Sequence, residues 1–195
     1  GIPAVAFDRS RLRGESIRGV LGLPLFRDHL LTVDYAKSRL TVSAETLPEE
    51  GPGILPYGGG LLPEITITVG GKPFSCHIDS GSPGGFTFSS EMVEGLPHKT
   101  EPRVIGTART VNSEFEVWSV QLDGTIVVAG TEFVDPVVTY NEILPNGILG
   151  YQILKDLEIS IDQRSKRVRL VPAEPEEPAE PDEDVETTGK DDGKR

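Results

Sequence analysis

The sequence predicts an all-β chain with one or two short helices, and three observations lead there. Hydrophobic residues make up 36% of the 195, while Gly (22) and Pro (16) are abundant, a mixture that favours short strands, turns and some unfolded chain. Apolar and polar residues alternate in Ile65-Thr66-Ile67-Thr68-Val69, the period of a half-buried strand. Gly70-Gly71 then separates that run from a second one, Lys72 to Ile78, by the two residues of a tight hairpin.

Composition also removes several classes of function. Cys76 is the only cysteine, so there is no internal disulfide and no Cys-rich metal site. The histidines His29, His77 and His98 are scattered and give no zinc ligand set; no metal and no cofactor is expected. A net charge of −12, with no basic stripe to offset it, argues against nucleic acid as a partner. No run is long and apolar enough for a transmembrane helix. Residues 172–195 hold ten acids and three bases, −7 of the −12, and this Pro/Glu-rich stretch is expected to be a disordered, solvated tail.

Taken in order, the elements contain a repeat. Gly147-Ile148-Leu149-Gly150 matches Gly19-Val20-Leu21-Gly22, and at the same offset, without a gap, Asp162 falls on Asp34 and Arg167 on Arg39. Each unit reads as a glycine-flanked apolar step, then a short helical turn (24–29 or 151–157). An alternating strand follows (31–35 or 159–162), then a polar turn and a last strand (39–42 or 167–171). Eighty-seven residues (60–146) separate the linker from the second unit, against 18 before the first. Residues 1–48 are therefore expected to be the C-terminal remnant of an upstream sister domain, 49–59 a linker, and 60–171 a complete domain. The opening Gly1-Ile2-Pro3 lacks both an initiator Met and the regions of a signal peptide, which fits an excised part of a longer chain.

Within 60–171, strands are expected at 61–69 and 72–78. The second runs into Asp79-Ser80-Gly81-Ser82-Pro83-Gly84-Gly85, and Phe86-Thr87-Phe88 restarts a strand. A short helix at 89–94, a long hairpin at 103–120, and strands at 117–122, 125–128 and 133–139 complete the reading, with Asp123-Gly124 as a hairpin turn.

A strand-end Asp-Ser-Gly-Ser loop, a later hairpin and an Ile-Leu-Gly step before a short helix resemble the retropepsin-like aspartic protease family, including its bacterial tandem-domain members. The resemblance covers roughly residues 60–171 and implies a retropepsin-like acid protease half-barrel. It makes Asp79 the catalytic aspartate, with Ser80, Gly81 and Ser82 completing the active-site loop. The Ser80 hydroxyl is then expected to stabilise that loop by hydrogen bonding across a dyad. Ile148, Leu149 and Gly150 are its loop support. By position the flap is centred on Gly106, Thr107, Ala108, Arg109 and Thr110, although these residues depart from the Gly-rich flaps of the family.

The chemistry gives those residue types a reason. Such hydrolysis needs a water between two carboxylates that share one proton, one acting as base and one as acid. Each aspartate needs a tight, rigid turn, where Gly81 supplies backbone freedom. As a bare tripeptide Asp-Ser-Gly is a common turn; the preceding strand and the Ile-Leu-Gly step beyond it carry the assignment. Matched positions such as Asp34 and Asp162 read as structural, Trp118 and Phe115 as packing, and His77 as a packed or half-exposed strand residue. Cys76 has no His–Asp partnership that would make it a nucleophile.

One Asp-Ser-Gly loop supplies one carboxylate. The expected activity is therefore an aspartic endopeptidase, acting on a peptide or protein substrate, that needs a homodimer or a missing upstream domain for its second aspartate. The alternative is a catalytically inactive retropepsin-fold module for peptide binding or assembly. A bacterial periplasmic or secreted location is favoured over the cytoplasm, although a lone cysteine fits both compartments.

Overall fold

The computed structural model describes residues 21–60, 62–109 and 114–174; the expected tail from residue 175 onward lies outside them. Fourteen strands form two sheets among these residues. β1 (Leu30–Asp34), β2 (Arg39–Ser43), β3 (Ile54–Pro56), β13 (Leu157–Asp162) and β14 (Arg167–Pro172) make a five-stranded sheet in the order β2-β1-β13-β14-β3. The other nine are β4 (Glu64–Val69), β5 (Lys72–Ile78), β6 (Phe86–Ser89), β7 (Arg103–Arg109), β8 (Glu114–Gln121), β9 (Thr125–Val128), β10 (Thr131–Val134), β11 (Val137–Asn141) and β12 (Gly147–Leu149). They run in the order β10-β9-β4-β5-β12-β6-β11-β8-β7 and curl into a half-barrel. A 3-10 turn (Leu23–Phe26) and two one-turn helices, α1 (Ser90–Val93) and α2 (Tyr151–Leu154), complete the fold.

The period-two pattern accounts for the core. Ile65, Ile67 and Val69 of β4 all face inward and are buried, against Cys76 and Ile78 of β5 and Phe86 and Phe88 of β6. Gly70 and Gly71 have φ of 54° and 81°, the left-handed pair that a two-residue hairpin requires and glycine adopts without strain. Ser89 caps α1 by accepting a hydrogen bond from the Met92 amide at 3.2 Å, satisfying one of the free amides of a helix start.

Two expected elements differ. Residues 133–139 are two strands, because Asp135 takes a positive φ of 49° ahead of Pro136 and breaks the run. Asp123-Gly124 is not a hairpin turn. β8 and β9 pair with other strands, and the intervening backbone bonds elsewhere, Asp123 N–H to the Pro97 carbonyl at 2.8 Å and Asp135 N–H to that of Gly124 at 2.7 Å. The hairpin turn sits at Ala129-Gly130 between β9 and β10 instead, with φ of 51° and 90°. The stretch read as a linker contributes β3, which pairs along β14.

The five-stranded sheet brings the two like units together. β1 and β13 are antiparallel neighbours with Thr32 opposite Ser160, their hydroxyl oxygens 2.9 Å apart. The separation of these two positions in the chain equals the repeat offset, so the pair sits on a local two-fold axis. Leu30 opposite Asp162 maps onto Asp34 opposite Glu158. Contacts away from the axis follow the same rule: Tyr35 packs edge-on against Tyr151, and the equivalent Gln163 donates its side-chain N–H to the Leu23 carbonyl at 2.7 Å.

Candidate active site

Asp79 follows the last residue of β5, and the chain then crosses over β12 to reach β6. β12 lies between those two strands, parallel to β5 (Leu149 opposite Ile78) and antiparallel to β6 (Leu149 opposite Phe86). The Asp79 amide donates to the Leu149 carbonyl at 3.0 Å, and the Ser82 amide to the Asp79 carbonyl at 3.1 Å. The Gly81 amide donates to Asp79 Oδ1 at 2.9 Å, which fixes the rotation of the carboxylate. Asp79 is half-buried at the end of the strand, and Ser80 and Gly81 are exposed.

Beyond Leu149 the chain locks the loop from below. The Tyr151 amide donates to the Ser82 carbonyl at 2.8 Å, Gln152 to Gly84 at 2.9 Å and Gly150 to Gly85 at 2.9 Å. The first amides of a helix have no partner within it, so the loop and the start of α2 satisfy each other. Contact is close enough to exclude side chains: a Cβ on Gly150 would collide with the Gly84 carbonyl oxygen, and one on Gly147 with Cys76 Sγ. The structure thus brings Asp79, Ser82, Leu149 and Gly150 into one hydrogen-bonded assembly, with Ile148 in register opposite His77 and Thr87. Gly84 and Gly85, whose carbonyl oxygens accept from the start of α2, were not singled out by their residue type; the Pro-Gly-Gly run was their only signal.

The flap candidates Gly106, Thr107, Ala108 and Arg109 form the outer half of β7, paired with β8 from Val117 to Glu114; Thr110 lies outside the described residues. The pairing slips between Val104 and Gly106, a bulge that bends the hairpin. β7 is an edge strand, exposed along almost its whole length, so the hairpin projects from the sheet rather than packing on it. Arg109 and Glu114 form an ion pair across its outer end.

Asp34 and Asp162 do a different job. Both are buried and both accept from the turn that follows: Lys37 N–H to Asp34 Oδ1 at 3.1 Å, Arg164 and Ser165 N–H to Asp162 Oδ1 at 3.0 and 3.3 Å. Asp162 Oδ2 also accepts from the Leu47 amide at 3.1 Å. Burial pushes the Asp162 carboxyl up, but these hydrogen bonds outweigh it and hold it below the usual carboxylate range. Burial, with Glu64 nearby, pushes the Cys76 thiol up to about 12, so it is a packing residue and not a nucleophile. His77 is half-exposed beside Glu64, which also accepts from Ser75 Oγ at 2.5 Å.

Among the described residues no group of three or more His, Cys, Asp or Glu is arranged to hold a metal, and no helix is long and apolar enough to cross a membrane.

Residues 65–153 match the family model described as aspartyl protease; over this stretch the chain resembles retropepsin-like aspartic proteases. Solved structures similar to it include a retropepsin-like aspartic protease from Rickettsia conorii, 20% identical, covering 60% of this chain and 87% of that one with a TM-score of 0.48. The EIAV protease complexed with the inhibitor HBY-793 is 17% identical over 49% of this chain and 86% of that one, TM-score 0.40. The retroviral protease-like domain of Ddi1 from Leishmania major is 14% identical over 57% and 95%, TM-score 0.39. No curated protein matches the chain by sequence.

Proposed function

We propose that the chain supplies one half of an aspartic endopeptidase active site, with Asp79 as the carboxylate. The observation that carries this is the loop at the end of β5. The Gly81 amide orients Asp79 Oδ1, and further backbone hydrogen bonds seat the loop on Leu149 and α2. Such a seat holds a carboxylate in place without reorganisation, as general acid–base chemistry demands.

The reaction follows from paired carboxylates. With one proton between them, the ionised member removes a proton from a water as it attacks the scissile carbonyl carbon. The protonated member donates to the carbonyl oxygen, and the tetrahedral intermediate collapses as the amide nitrogen is protonated and leaves. Asp79 provides one member; the other is an equivalent aspartate in a second copy or in a partner lobe. The β7–β8 hairpin is the element suited to cover a bound peptide.

Asp79→Asn is expected to lower peptide cleavage or self-processing by about three orders of magnitude or more, with an unchanged unfolding midpoint. The wild-type pH–rate profile is expected to be bell-shaped, the mark of a coupled pair. Cleavage unaltered by Asp79→Asn sinks the assignment. Peptide binding without hydrolysis at any pH marks the chain instead as an inactive binding module of the same fold.

A further inference from the structure

The local two-fold axis between β1 and β13 relates two units that share one plan but not one environment. In the second unit, Leu149, Val168 and Leu170 are 0%, 0% and 1% exposed, and Ile153 packs against the same core. Their counterparts at the repeat offset are Leu21, Leu40, Val42 and Leu25, which are 70%, 54%, 43% and 38% exposed. Four positions that are apolar in both units are thus covered in one and bare in the other.

The backbone repeats the asymmetry. β14 has β13 on one side and β3 on the other, whereas β2, its counterpart, has only β1 among the described residues. The symmetric completion of β2-β1-β13-β14-β3 is a sixth strand beside β2. An open edge next to a row of exposed aliphatic side chains is a template for pairing with another β-element.

We infer that this face, made of Leu21, Leu25, Leu40, Val42 and the edge of β2 that is unpaired among the described residues, is the seat of a second β-lobe. It is built like β4–β12 and precedes the first unit in the same polypeptide. The occupant follows from the second unit. There, the lobe of β4–β12 covers the equivalent residues, β3 pairs with the equivalent strand, and both precede the unit they cover. A second copy of this chain fits the face less well, because its own β4–β12 lobe is already seated on its own α2, β13 and β14.

A consequence concerns the active site, and this part rests on the reading of Asp79 as catalytic. β13 is the strand of the Asp79 domain that lies on the two-fold axis, and β1 occupies it in cis. The second carboxylate then comes from the lobe seated on the first unit. The spacing that separates Asp79 from Gly147 places an Asp-Ser-Gly or Asp-Thr-Gly equally far ahead of Gly19 in the encoded polypeptide.

Carbene footprinting with a photolysed diazirine tests the seat directly, comparing the 195-residue chain with the polypeptide extended ahead of Gly1 as its gene encodes it. Labelling at Leu21, Leu25, Leu40 and Val42 is expected to fall about fivefold or more in the extended polypeptide, and to fall equally in its Asp79→Asn form. Equal labelling in the two lengths overturns the inference, as does a gene with no second Asp-Ser/Thr-Gly ahead of residue 1. A 195-residue chain that dimerises with the same four residues protected, and is returned to monomer by Leu40→Glu with Val42→Glu, overturns it too and makes a second copy the occupant. Protection retained while Asp79→Asn leaves cleavage intact removes the catalytic reading and keeps the seat.

Discussion

Gly147 and Gly150 stand where β12 meets the Asp79 loop, and no side chain fits at either. A Cβ at Gly147 meets Cys76 Sγ and the Phe88 ring, both buried, so neither neighbour has room to yield. Gly147→Ala is expected to destabilise the fold by roughly 1–3 kcal/mol, the cost of overpacking a filled core, measured as a lowered urea midpoint. An unchanged midpoint would show that β5 and β6 can part at this point. Cys76 offers a second residue-level check. With its thiol pushed up to about 12 and its side chain buried, almost no thiolate is present at pH 8. Iodoacetamide should leave the native protein unlabelled and modify it fully in denaturant; native labelling at the rate of a free thiol contradicts the burial.

At the scale of elements, Asp162 ties the last hairpin to the first unit. Its carboxylate accepts from Arg164 and Ser165 within the β13–β14 turn and from Leu47 beyond β2. Asp162→Asn sets an amide donor against at least one of those donors, at about 1–3 kcal/mol. The folded carboxyl lies below its ordinary value, so folding favours the ionised form. That contribution is fully present above the unfolded pKa, about 3.9, and is lost as pH falls through the folded value. The gap between wild type and Asp162→Asn in denaturation experiments should be widest above about pH 4 and close below it. A gap that stays constant with pH would mean that shape, not charge, sets the role of this residue. Asp34, its counterpart in the first unit, caps the matching turn in the same way.

For the whole molecule, the pairing of β1 with β13 bears on how the proposed site would be completed. A lone Asp79 loop leaves open a second copy or a second lobe. A face that is bare at Leu40 and Val42 and covered at Val168 and Leu170 favours the lobe. The expected hydrodynamic behaviour of the 195-residue chain is a monomer, read by light scattering, whose exposed face binds a hydrophobic dye. Leu40→Glu with Val42→Glu should reduce that dye binding several-fold without lowering the unfolding midpoint, since these side chains lose little by facing water. A drop in the midpoint of several degrees would show that the face already packs on something within the chain.

Much of the fold was legible from residue order because β-structure writes itself locally. Alternation in 65–69 gave β4, Gly70-Gly71 gave its turn, and the repeat gave the strands of both units within a residue or two, while the helical turns end three residues sooner than expected. The Asp-Ser-Gly-Ser run, a common turn by itself, singled out the loop because a strand precedes it and an Ile-Leu-Gly step follows further on. Positive-φ turns without an Asn-Gly or Gly-Gly signature were less visible. Ala129-Gly130 turns the chain while Asp123-Gly124, the stronger motif, does not, because pairing with distant strands overrides a local preference.

Residue order alone set the strand period, the glycine positions, the chemistry available at Asp79 and the constant offset between the two units. Folding was needed to settle that β12 threads between β5 and β6 to seat the Asp79 loop. Folding also placed the two units about a two-fold axis at Thr32 and Ser160, and left one of two like faces uncovered among the described residues. These are contacts between residues far apart in the chain, and hydrogen bonding across strands depends on which edge arrives. A strand's own residues state that it will pair; they do not state with whom.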